Sequence, residues 1–196
     1  PEKGKPMMVV SSTISTSPTM VYFGQEVGEP GKENAGFGNH SRTSIFDYIG
    51  VPNHQRWMNG GKFDGGRLSA SEKDLRDFYK RVLNFTINSS ALMGNFQEIH
   101  SLNRYSTDGY FPEVYSFVRW SDTQKLIVIA NFSAEHTSHF DLKVPADILK
   151  AWELKDGIYP IKDQLYSKNT AELKVLNGEG TVHISIAPLE SFIYQL

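Results

Sequence analysis

The chain has 196 residues, a formal net charge of −2, 12% aromatic residues and no cysteine. That composition excludes a disulfide scaffold, a thiolate metal site and a basic nucleic-acid-binding surface, and it is too aromatic and too weakly charged for a disordered chain. No apolar run approaches the ~20 residues of a membrane span. No signal peptide is visible, and the polar opening at residues 1–5 is expected of a chain whose true N-terminus lies further upstream.

In chain order, residues 7–16 have the length of a helix, but Val9, Val10, Thr13 and Ile14 are β-branched and weaken it. The run Thr19-Met20-Val21-Tyr22-Phe23 lies between Pro18 and Gly24. A short, continuously apolar run of this kind predicts a strand buried on both faces, as in a parallel sheet. Residues 29–67 are rich in glycine (Gly31, Gly36, Gly38, Gly50, Gly60, Gly61, Gly65, Gly66) and show no sustained period. Such long loops are usually functional or disordered, and Phe37, Phe46, Tyr48, Trp57 and Phe63 argue against disorder.

Ser69 and Glu72 have capping-box spacing, and Leu75, Phe78, Tyr79, Val82, Leu83 and Ile87 follow at helical spacing, which predicts a helix over 72–88. Beyond residue 95 the pattern changes to strands. Residues 114–120 and 126–130 read as a hairpin around Ser121–Gln124, and Phe140, Leu142 and Val144 alternate with charged residues. Val182, Ile184 and Ile186 alternate likewise, after a turn at Asn177-Gly178. Several short antiparallel strands predict a β-sandwich, with Trp120 and Trp152 expected in its core.

The segment Ser17-Pro18-Thr19-Met20-Val21-Tyr22-Phe23-Gly24-Gln25-Glu26 resembles the eighth barrel strand of the alpha-amylase family, glycoside hydrolase family thirteen. Tyr22, Gly24 and Glu26 fit that strand; Ser17 stands where glycine is common, and the proline comes one place early. The helix after the loop is similar to the eighth barrel helix. The hairpin begun by Val114-Tyr115-Ser116-Phe117-Val118-Arg119, and the ending Ala187-Pro188-Leu189-Glu190-Ser191-Phe192-Ile193-Tyr194-Gln195-Leu196, resemble the C-terminal domain.

The resemblance implies a fold of two parts: residues 1–95 as the α/β end of a (β/α)₈ TIM barrel, and residues 96–196 as an antiparallel β-sandwich. It implies an enzyme that acts on α-glucosidic bonds of starch-like glucans by a retaining mechanism. The nucleophilic Asp, the acid/base Glu and the second Asp of such enzymes belong to the fourth, fifth and seventh barrel strands. They would lie upstream of Pro1, so no catalytic residue is expected in the chain itself. The expected partners are an α-glucan oligosaccharide or polysaccharide and the upstream part of the same barrel, and the expected setting is bacterial, periplasmic or extracellular if a signal peptide precedes. A strand at 19–23 without its parallel neighbours would be exposed or altered, or would pair with another copy or with a separate barrel fragment.

Glycosidic chemistry needs two flanking carboxyl groups, and Glu26 and Glu29 stand at a strand end. Their position in the resemblance makes Glu26 a structural residue of the barrel mouth and Glu29 a substrate-binding one. Sugar rings pair apolar faces with polar edges, which aromatic, Arg, His, Asn and Glu side chains can match. The loop offers His40, Arg42, Tyr48, His54, Arg56 and Trp57 for a substrate subsite, with Tyr48, His54 and Trp57 the principal candidates. The alternative is that Phe46, Tyr48 and Trp57 form a small satellite core. No metal ligand set, P-loop or nucleophile elbow is present, and no cofactor is expected. Two further readings stay open: a non-enzymatic carbohydrate-binding or scaffold module, and a transglycosylating or isomerising relative of the hydrolases.

Overall fold

The computed structural model describes residues 2–29, 51–166 and 169–196. In chain order the helices are α1 Gly4–Thr13, α2 Pro52–Met58, α3 Ala70–Ile87, α4 His100–Ser106 and α5 Ala146–Ala151. The strands are β1 Asn95–Glu98, β2 Val114–Trp120, β3 Lys125–Asn131, β4 Ser138–Val144, β5 Gly157–Asp163, β6 Thr170–Leu176, β7 Glu179–Ile186 and β8 Ser191–Gln195. The chain forms two compact units, one of residues 19–81 and the other of residues 2–18 with 82–196; the division falls inside α3.

The larger unit is built on one eight-stranded sheet in the order β1-β2-β3-β8-β5-β6-β7-β4. Every strand pairing in it is antiparallel. The expected hairpin forms with Val114 opposite Asn131 and Trp120 opposite Lys125. The alternating segments pair as β4 with β7, Leu142 facing Val182. The expected antiparallel all-β domain is therefore present, but the expected sandwich is one continuous sheet, curled into a half-barrel. Its two halves meet where β5 joins β8 through two residue pairs, Lys162–Gln195 and Asp163–Tyr194. Across the curl, Val118, Ile127 and Ile129 share one buried cluster with Leu142, Ile161, Leu173 and Ile184, and Trp152 also lies in it.

Asp163 is buried at that seam. Its carboxylate accepts the backbone N–H groups of Leu165, Tyr166 and Ile193 at 2.9–3.1 Å. Burial pushes its pKa up, and the three N–H donors pull the other way without cancelling the shift.

Strand alternation sends Leu126, Val128 and Ile193 to the opposite face, where they are also buried. α1 packs against β3 and β8, with Met8 and Val9 buried. Within this helix the Ser12 and Thr13 hydroxyls donate to the Met8 and Val9 carbonyls. Arg119 of β2 is 1% exposed. Its guanidinium donates to the Ile14 carbonyl at 2.8 Å and to the carbonyls of Thr13, Leu92 and Gly94. One buried cation thus ties the end of α1 and the approach to β1 to the same strand.

In the smaller unit the expected strand at 19–23 is absent: these residues belong to no sheet, and Met20 is 84% exposed. The physical reason is that a buried parallel strand needs neighbours on both sides for its backbone groups, and among the described residues all the strands pair within the antiparallel sheet. The run ends in a turn instead. Gly24 takes the left-handed conformation (φ 75°), and its carbonyl accepts the N–H groups of Val27 and Glu29. α3 begins as the spacing predicts. The Ser69 N–H donates to Glu72 Oε2 at 2.8 Å, and the Glu72 N–H to Ser69 Oγ at 3.3 Å, a reciprocal capping box. Its buried face is Leu75, Phe78, Tyr79 and Val82.

Candidate functional site

The turn at 24–29, helix α2 and the first turns of α3 are stitched together by polar side chains. Asn53 Nδ2 donates to the carbonyls of Val27 and Gly28, each at 3.0 Å. The His54 backbone N–H donates to Glu29 Oε2 at 2.9 Å. Arg56 donates to Asn53 Oδ1 and, through two nitrogens, to both oxygens of Glu72. The fork geometry of the guanidinium suits this bidentate pair, and the hydrogen bond from Arg56 holds the Glu72 carboxyl below its usual range. Gln25 Nε2 donates to the Tyr79 hydroxyl at 2.8 Å. Burial pushes that hydroxyl's pKa up, and the Gln25 bond opposes the shift.

This frame gathers a row of rings. Phe23 lies 4.5 Å from His54, His54 lies 5.4 Å from Trp57, and Trp57 meets Phe63 edge-on at 5.8 Å. The Arg76 guanidinium sits 5.1 Å over the Trp57 ring and 3.7 Å from Glu26. Glu29 Oε1 and His54 Nδ1 are buried and bond to no described residue.

Of the residues singled out from the sequence, the structure brings Glu29, His54 and Trp57 together. Glu26 reaches the same group through Arg76. Tyr48, with Phe46, His40 and Arg42, lies outside the described residues. The guanidinium covers one face of Trp57 and Phe63 abuts it, so much of that indole's apolar contact is made with protein. Glu26 faces a guanidinium and Glu29 a backbone N–H. Among the described residues no group of three or more His, Asp or Glu could hold a metal ion.

Sequence reasoning passed over Phe23, Asn53 and Arg76. Phe23 was hidden in the expected strand, and Arg76 reads as a residue of the polar face of α3. One signal was available: Glu72 and Arg76 are one helical turn apart and share a face, and both reach α2, one at Arg56 and the other at Trp57.

No protein-family model matches the chain, and no curated protein sequence does. Solved structures do match its fold. Over 99% of the chain it is similar to AmyP in complex with maltose, with 20% identity, a TM-score of 0.61 and 34% of that chain covered. The whole chain is similar to the maltogenic alpha-amylase AmyB from Thermotoga neapolitana, with 12% identity, a TM-score of 0.60 and 36% of that chain covered. The trehalulose synthase MutB matches over 99% of the chain, with 16% identity, a TM-score of 0.54 and 38% of that chain covered. The chain therefore spans about a third of the length of these neighbours. The likeness is one of fold, and it agrees with the alpha-amylase resemblance carried by the strand pattern of the C-terminal domain.

Proposed function

We propose that this chain is the C-terminal portion of an alpha-amylase-type glycosidase that acts on α-glucosidic bonds of starch-like glucans by a retaining mechanism. The catalytic carboxylates belong to sequence outside it. On this reading residues 1–95 complete a catalytic barrel and residues 96–196 form the domain that follows. The single observation that carries the proposal is the fold match over essentially the whole chain to about a third of amylase structures, one of them bound to maltose. The row Phe23, His54 and Trp57 supports it: rings flanked by Glu29 and a guanidinium suit a ligand with apolar faces and hydroxyl edges. In this role Glu29 orients His54, and Glu26 acts through Arg76.

The trehalulose synthase neighbour favours one alternative chemistry on the same frame, in which a sugar rather than water accepts the glucosyl group. The test is the full-length protein that carries this chain, incubated with maltoheptaose and, separately, with sucrose. Release of shorter maltooligosaccharides is expected. Isomerised disaccharide from sucrose with intact maltoheptaose would replace hydrolysis by the isomerising reading, and no reaction with either sugar would end the enzyme proposal.

A further inference from the structure

At the start of α2 and in the turn between α2 and α3 the backbone takes left-handed conformations at non-glycine residues. Val51 has φ 30°, Asn59 φ 47° and Phe63 φ 54°. Asn tolerates this region; a residue as bulky as Phe does so only under strain, and such residues concentrate at ligand-binding sites. The Phe63 N–H closes the turn onto the Met58 carbonyl at 3.0 Å, and the Gly65 N–H onto the Trp57 carbonyl at 3.0 Å. A glycine at 63 would meet the same geometry without strain, yet the chain places a phenyl ring there and leaves it 56% exposed.

The ring's surroundings are open. Its contact with Trp57 is edge-type, with planes at 62°. An added Cβ on Gly61 would meet nothing within 4 Å, and one on Gly60 only the tip of Arg67. Polar groups stand beside the ring. Asn59 Nδ2 donates to Asp64 Oδ1 at 2.7 Å and the Gly66 N–H to the same oxygen at 2.9 Å. Both bonds end on Oδ1 and hold this exposed carboxylate in place.

We propose that Phe63 is a sugar-stacking residue: its strained turn presents the ring to the C–H face of a glucosyl unit, with Asp64 accepting a hydroxyl proton at the ring's edge. The assignment deepens the glucan reading above and rests on it. It makes Phe63, and not only Trp57, the platform of this site, because one face of Trp57 is already taken by Arg76.

The strain supplies the test. In the full-length protein, Phe63→Gly removes the ring and relieves the backbone, so KM for maltoheptaose should rise about tenfold with kcat little changed, while Tm stays level or rises. Phe63→Trp should keep KM near the wild-type value. An unchanged KM in Phe63→Gly, whether or not Tm falls, would overturn the proposal, and a fall in Tm would mark the ring as packing for Trp57. Failure of the wild-type protein to act on maltoheptaose would instead overturn the glucan reading, and this assignment with it.

Discussion

Arg119 shows at the level of a single residue how far burial departs from composition. A guanidinium is seldom fully buried unless paired with a carboxylate, yet this one serves only carbonyl oxygens among the described residues. Its value lies in linking two stretches of the chain, Thr13 with Ile14 and Leu92 with Gly94, to β2. Burial draws its pKa down, but a guanidinium starts so high that it stays charged. Arg119→Met should keep the packing volume while leaving several buried carbonyls without a donor. We expect a loss of about 2–4 kcal/mol in unfolding free energy by chemical denaturation; a loss under ~0.5 kcal/mol would show that water replaces the guanidinium. Nothing in the sequence around Arg119 marks it, because in Val118-Arg119-Trp120 it reads as one more polar residue near the end of a hairpin strand.

α3 is the element whose local rules and tertiary role coincide. The Ser69–Glu72 box was legible because caps depend on neighbours in sequence. The second duty of Glu72, binding Arg56 of α2, was not, because that contact depends on where a glycine-rich segment folds back. The same carboxylate therefore carries a pH dependence of known sign. Its pKa is lowered in the fold, chiefly by the Arg56 hydrogen bond. Its stabilisation is fully present above the unfolded value near 4.3 and is lost as pH falls through the lower folded value. Glu72→Gln should cost about 1–2 kcal/mol at pH 7, with the gap to wild type closing as the pH is lowered from about 4.5 towards 2. Urea midpoints across that range check it; a gap that stays constant would detach Glu72 from Arg56.

The strands show the same division. β2, β3, β4 and β7 were readable from alternation or from a continuous apolar run. β5 and β6 were not proposed, although Leu173 and Val175 of β6 do alternate with polar neighbours; in β5 Pro160 and an exposed Ile158 blur the period. The 19–23 run has the composition of a buried strand but lacks partners, so its residues turn at Gly24 and leave Met20 in solvent. Of the candidate site, Glu29, His54 and Trp57 were named from residue type. Their stitching through Asn53 and Arg56, and the engagement of Trp57 by Arg76, required the fold.

For the molecule as a whole, fold and identity carry different information. Amylase structures reproduce this chain's fold at 12–20% identity, so burial pattern and topology persist where few individual residues do. The most direct measurement is proton NMR of the anomeric signals while the full-length protein cleaves maltoheptaose. New reducing ends should appear first as the α-anomer and drift to the β-anomer by mutarotation. New ends born as the β-anomer would contradict the retaining reading.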